Sequence, residues 1–168
     1  MSAKNITFIL HKPQLSENIG ACARGMKNFN FTKMIVVDPK PIIPNDKILA
    51  TSVGAKNIIL SAKVFKSVEE SVGDLDIVFA STSRPRKINK KIISIIDFTK
   101  KIKKNMKVGI VFGPEASGLS NNEVNCADYL VTIPTNEDFS SSLYSFFTSS
   151  SFFVRILSSP FSCNVFSF

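Results

Sequence analysis

An α/β fold, a mostly parallel sheet with helices on both faces, is predicted by the layout of this 168-residue chain. Short apolar runs alternate with amphipathic stretches along most of its length. That alternation is what strands joined by crossover helices produce. The length suits one hydrophobic core, and no second domain need be invoked.

In order along the chain, Ile6 to Leu10 is the first predicted strand, with His11 as its end residue. Glu17 to Asn30 follows as a helix, with Ser16 as its expected N-cap. It places Ile19, Cys22, Ala23, Met26 and Phe29 on one buried face. Met34 to Val37 is the next strand. Ser67-Val-Glu-Glu70 has the capping-box form and marks a helix start, before a strand over Asp76 to Ala80. Val108 to Phe112 is a fourth strand, Ser120-Asn-Asn-Glu123 a further capping box, and Tyr129 to Ile133 a fifth strand. Parallel strands of this kind collect ligands at their C-terminal ends, where the connections open a crevice.

Composition narrows the partners. The net charge of +8 and pI near 9.5 suggest a polyanion. From Arg84 and Arg86 through Lys107 the basic residues face only Asp97 as an acid. Its lysines fit either a solvated surface or RNA contact, whereas Arg84 and Arg86 read toward RNA. Cys22, Cys126 and Cys163 are odd in number and widely spaced, and His11 is the sole histidine, so neither a disulfide frame nor a metal site is expected. No apolar run approaches the roughly 18 residues of a spanning helix, and Met1-Ser-Ala-Lys-Asn5 lacks a leader pattern. A cytoplasmic protein without membrane contact is therefore expected.

Three runs carry the chemistry. Gly113-Pro-Glu115-Ala-Ser-Gly118-Leu-Ser120 has the glycine spacing of a phosphate loop, but Leu119 stands where that loop needs lysine. What remains is a glycine at a strand end, where a ligand can approach the backbone, and a turn into a capped helix. Asn18-Ile-Gly-Ala-Cys-Ala-Arg24 joins small residues to a planar cation able to grip a phosphate or a ribose oxygen. Ile133-Pro-Thr-Asn-Glu-Asp-Phe-Ser-Ser141 closes the series.

Together, in this order, the three runs resemble the SpoU branch of the SPOUT RNA methyltransferases, and within it the TrmJ-like tRNA ribose 2′-O-methyltransferases. The resemblance implies a C-terminal trefoil knot, S-adenosyl-L-methionine as cofactor, RNA and specifically tRNA as substrate, and a homodimer paired through the knot. It implies that Arg24 is catalytic, positioning or activating the ribose 2′-hydroxyl, with Asn18 supporting it. Ser81, Thr82 and Ser83 would line the cofactor site from one loop, Gly113 from a second, and Ile133, Ser140 and Ser141 from a third. Glu115 is read as structural rather than as a general base.

After Ser141 the family pattern of Leu-Asn-Leu and an apolar helix gives way to Ser142-Leu-Tyr-Ser145 and a tail rich in Ser and Phe. The expected organisation is thus a methyltransferase domain over residues 1–141 and an atypical tail over 142–168, of the kind a reading-frame change produces. The alternative to a methyltransferase is a non-catalytic RNA-binding remnant, or the product of a decayed gene. Replacing Arg84 and Arg86 by Gln is expected to flatten the salt dependence of RNA binding, each lost phosphate contact lowering the log–log slope by about one. Fluorescence anisotropy over a salt series measures this, and an unchanged slope would assign both arginines to structure.

Overall fold

A computed structural model of the chain describes residues 5–82, 90–114 and 116–132. Among these residues seven strands form one sheet: β1 (Ile6–His11), β2 (Lys33–Val37), β3 (Lys63–Phe65), β4 (Ile77–Thr82), β5 (Ile92–Ser94), β6 (Val108–Phe112) and β7 (Tyr129–Thr132). The helices among the described residues are α1 (Ser16–Asn28), α2 (Asp46–Thr51), α3 (Lys56–Leu60), α4 (Val68–Val72), α5 (Ile95–Lys101) and α6 (Asn121–Asn125). Every strand pair is parallel, in the order β3-β2-β1-β6-β4-β7-β5.

β1, β4 and β6 are almost wholly buried, because both faces of the sheet are covered. On one face Phe8, Leu10, Val36, Phe79, Ile110 and Phe112 meet the buried stripes of α1, α2, α3 and α5. Phe8 and Phe112 stack with centroids 5.9 Å apart and Phe79 meets Phe98 edge-on at 4.5 Å, so aromatic pairs tie neighbouring strands to each other and to α5. On the other face Ile9, Val78, Ala80 and Val111 pack against Val68 of α4 and against Leu119, Val124 and Ala127 around α6.

The predicted helix near residue 20 is present with shifted ends. Its N-cap is Leu15 rather than Ser16. Ser16 is instead the first helical residue, buried, where its hydroxyl accepts from the Asn45 side chain at 3.0 Å. The hydroxyl is thereby drawn into the junction with α2, whose own cap is Asn45 accepting from Ile48 N–H. At the far end Phe29 already leaves the helix, and its N–H bonds back to Met26.

The small residues of α1 answer chiefly to packing. A Cβ on Gly20 would lie 2.0 Å from Thr51 Oγ1 and 2.7 Å from the Ile48 carbonyl oxygen. The glycine therefore sets how closely α2 approaches α1, rather than opening room for a substrate backbone. Gly20→Ala is expected to destabilise the fold by about 1–3 kcal/mol through overpacking, despite a helix-propensity gain of about 1 kcal/mol. Urea unfolding would measure it, and Thr51→Ala in the same chain should restore only part of the loss, since the Ile48 carbonyl remains in the way.

Candidate active site at the strand ends

Parallel strands put all their C-terminal ends on one rim, and the order β1-β6-β4-β7 brings segments far apart in sequence side by side there. Ala80 pairs with Val111 and Thr82 with Thr132. Gly113 follows Val111 by two residues, as Thr82 follows Ala80, so Thr82, Gly113 and Thr132 stand level on three adjacent strands, each about 5 Å from the next. Ser81 is half-buried and Thr82 buried at the end of β4. Three of the residues expected at the cofactor are thus gathered: Ser81, Thr82 and Gly113. Ile133, Ser140 and Ser141 of the third loop lie outside the described residues, as do Ser83, Arg84, Arg86 and Glu115.

Gly113 is needed for a reason the sequence does not display. A Cβ there would lie 2.3 Å from Leu119 N and 2.5 Å from Gly118 C, so the loop folds back over its own first residue. Gly118, at φ +68°, makes the left-handed turn, and its N–H donates to Pro114 O at 2.9 Å. Leu119 then drops into the core, and Ser120 with Glu123 forms the capping box that starts α6. The result is a loop that turns back on itself at the end of β6, the strand next to β4.

Asn18 and Arg24 both stand on α1 but do not share a face. Asn18 is half-buried in the first turn, and Arg24 lies about 9 Å further along the axis, exposed. Arg24 takes part in none of the ion pairs among the described residues. Within one chain α1 descends from the rim, so Arg24 is carried away from the row of Ser81, Thr82 and Gly113.

His11 ends β1 beside this row, buried, as a strand-end residue should be. Its Nε2 is 3.9 Å from Glu123 Oε1, while Nδ1 has no hydrogen-bond partner. Burial lowers its pKa below the ordinary histidine range; Glu123, Asp38 and Glu69 oppose that shift and Lys12 adds to it. Glu123 is itself held below the usual carboxylate range: burial works against this, but the hydrogen bonds from Ser120 prevail. Cys126 is free and bonds Glu69 at 3.3 Å; burial and that carboxylate push its pKa up to about 11, so it is no nucleophile at neutral pH. Among the described residues no group of three His, Cys, Asp or Glu could hold a metal ion, and no helix is long and apolar enough to cross a membrane.

Comparison with known proteins gives the arrangement a context. Residues 5–143 match the family model described as the SpoU rRNA Methylase family. A Methanocaldococcus jannaschii protein named tRNA (cytidine-2′-O-)-methyltransferase TrmJ is 39% identical over 140 residues, covering 80% of this chain and 60% of its own. A Haemophilus influenzae protein described as an uncharacterized tRNA/rRNA methyltransferase is 35% identical over 139 residues, covering 82% and 57%. The crystal structure of TrmJ from Z. mobilis ZM4 superposes with a TM-score of 0.78 at 34% identity, over 89% of this chain and 66% of that one. The chain therefore spans about three fifths of the length of the curated relatives it matches.

The buried histidine makes stability depend on pH. Because the folded pKa of His11 lies below 6.5, the unfolded chain binds more protons in mild acid, and stability falls as pH drops from about 7 through 6.5 toward the folded value. Urea midpoints between pH 7.5 and 5.5 should decline for the native chain and decline less for His11→Gln. Parallel declines would remove His11 as the cause.

Proposed function

This chain belongs to the SpoU rRNA Methylase family, and we propose that it transfers a methyl group from S-adenosyl-L-methionine to a ribose 2′-hydroxyl of RNA, with tRNA as the substrate. The observation that carries this reading is the convergence of Ser81 and Thr82, at the end of β4, with Gly113, just past the end of the adjacent parallel strand β6. Residues at that rim fit such a cofactor: a folded-back loop at Gly113 offers backbone donors and acceptors, and Ser81 and Thr82 add hydroxyls beside it. Ile133, Ser140 and Ser141 complete the set from the third loop. When bound, the cofactor's sulfonium supplies the methyl group.

The chain's own work is then placement. The ribose oxygen must be held in line with the methyl group, and fixing that geometry removes most of the barrier. Arg24 stabilises negative charge developing on the 2′-oxygen as its proton leaves, and Asn18 orients the first turn of α1 on which the arginine depends. Arg84 and Arg86 hold the RNA backbone. Because α1 carries Arg24 away from its own strand ends, the proposed site is composite, with Arg24 of one copy reaching the cofactor loops of the other. A homodimer, a knotted C-terminal crossing and a cytoplasmic location belong to the same proposal. The domain ends near residue 141, and the Ser- and Phe-rich tail beyond it takes the place of the helix that would close the knot. The transferase reading is favoured over a non-catalytic remnant because relatives named for this reaction match the chain across its described length.

Arg24→Ala is expected to abolish tritium transfer from labelled S-adenosyl-L-methionine to bulk tRNA while leaving cofactor affinity and melting temperature unchanged, since an exposed arginine removes little packing. Mixing it with Ser81→Lys, which blocks the cofactor end, should restore about a quarter of the activity, because half of the dimers formed are heterodimers and each of these carries one intact site of two. Undiminished transfer by Arg24→Ala would remove it from the mechanism, and no recovery on mixing would sink the shared site.

A further inference from the structure

Among the described residues charge is not spread evenly between the two ends of the sheet. At the rim that bears the site, the described acids Glu17, Asp38, Asp46, Glu69, Glu70 and Glu123 outnumber the bases Lys12, Lys40, Lys47 and Lys66. The opposite rim, where the strands begin, holds Lys27 at the end of α1 and Lys33 at the start of β2. It also holds Lys101 at the end of α5, with Lys103, Lys104 and Lys107 in the connection to β6. All six are exposed. The acids on that rim are Asp74, Asp76 and Asp128. Two of these are occupied by backbone, Asp76 accepting from Lys107 N–H at 2.7 Å and Asp128 from Val78 N–H at 2.8 Å.

The first of these hydrogen bonds also anchors the lysine-bearing connection at Lys107. Asp76 N–H returns a bond to Lys107 O at 2.9 Å, and Met106 N–H closes a turn on Lys103 O at 3.4 Å. Lys101 lies over the Tyr129 ring, 5.2 Å from its centroid, which fixes the end of α5 against the start of β7. Lys33 and Lys107 flank β1 on neighbouring strands, their backbones about 12 Å apart from strand spacing and register. The basic side chains are therefore held in a ridge by ordered backbone.

We propose that this ridge is a second RNA-binding surface, which grips the phosphates of a folded RNA while the opposite rim takes the target nucleotide. The inference rests on the methyltransferase reading for the identity of the polyanion, and on charge and position for the rest. Lys107 and Gly113 bracket β6, so the two surfaces are about 20 Å apart. A short stem–loop engaged at the site would not reach the ridge; a folded RNA of tRNA size would, passing around the edge of one subunit or from one subunit to the next. An anionic membrane fits less well. Among the described residues none of the exposed large apolar side chains, Leu15, Ile42, Val53, Leu60, Val64 and Ile92, lies in the segments bearing these lysines, and surface binding to lipid relies on apolar insertion beside the charge.

The test compares the full chain with Lys103→Gln/Lys104→Gln/Lys107→Gln by fluorescence anisotropy at several salt concentrations, using an unmodified tRNA transcript and the isolated stem–loop of it that carries the target nucleotide. The triple variant should lower the log–log salt slope for tRNA by about two to three and leave the stem–loop unchanged. The matching triple Arg variant should restore the slope, and equal melting temperatures exclude a folding defect. Equal slopes for native and Gln variants on tRNA would overturn the surface, as would an equal loss on both RNAs. Loss of binding confined to phosphatidylserine vesicles, with tRNA unaffected, would overturn RNA as the partner. Methyl transfer, measured separately on the native chain, keeps the two readings apart. Absent transfer with the salt result as expected sinks the reaction alone, and normal transfer with unchanged slopes sinks the ridge alone.

Discussion

The backbone of a parallel sheet covered on both faces has no water to turn to, so every strand edge in its interior must find another strand. That constraint organises this molecule. β4 does not pair with β1, and β5 does not pair with β4; each interval is one strand wide, and β6 and β7 fill them. The site follows from the filling. Gly113 reaches the side of Thr82 because β6 must lie between β1 and β4, and the third loop leaves the same rim because β7 must lie between β4 and β5.

Much of this was legible in the residues. Val108–Phe112 came out with the expected bounds, and the other long strands differ only by a residue or two at their ends. An uninterrupted apolar run is enough to identify a strand buried on both faces. β3 and β5 were not foreseen, because three residues carry no period and each edge strand shows one side chain or more to solvent. The short helices α2, α3 and α5 escaped for a related reason: they are held by caps such as Asn45 and Ser94 and by packing onto α1 and the sheet, not by an amphipathic repeat of their own.

The site was legible in composition but not in purpose. Glycines in the first two runs were read as room for a ligand. Gly20 lies where α2 packs, and Gly113 lies under the returning backbone of its own loop, the loop proposed to meet the cofactor. A glycine announces close approach without naming what approaches, and only the tertiary partner settles it. Ser16 illustrates the same limit, since its type fitted a cap while its neighbour Asn45 recruited it elsewhere. The His11–Glu123 contact joins β1 to α6 across more than a hundred residues, and no local pattern could have signalled it.

The order of strands also has a consequence for synthesis. A chain emerging from the ribosome displays β1, β2 and β4 long before β6, and until then the facing edges of β1 and β4 have no partner. Those edges, apolar on both faces, are competent to pair with any passing strand. Closing the centre depends on contacts between residues about a hundred positions apart, the kind that form slowly because a large loop must be ordered first. The nascent protein is therefore exposed to mispairing for as long as translation takes to deliver the segment ending at Phe112, and its yield in a cell will depend on elongation rate and chaperone supply as much as on final stability.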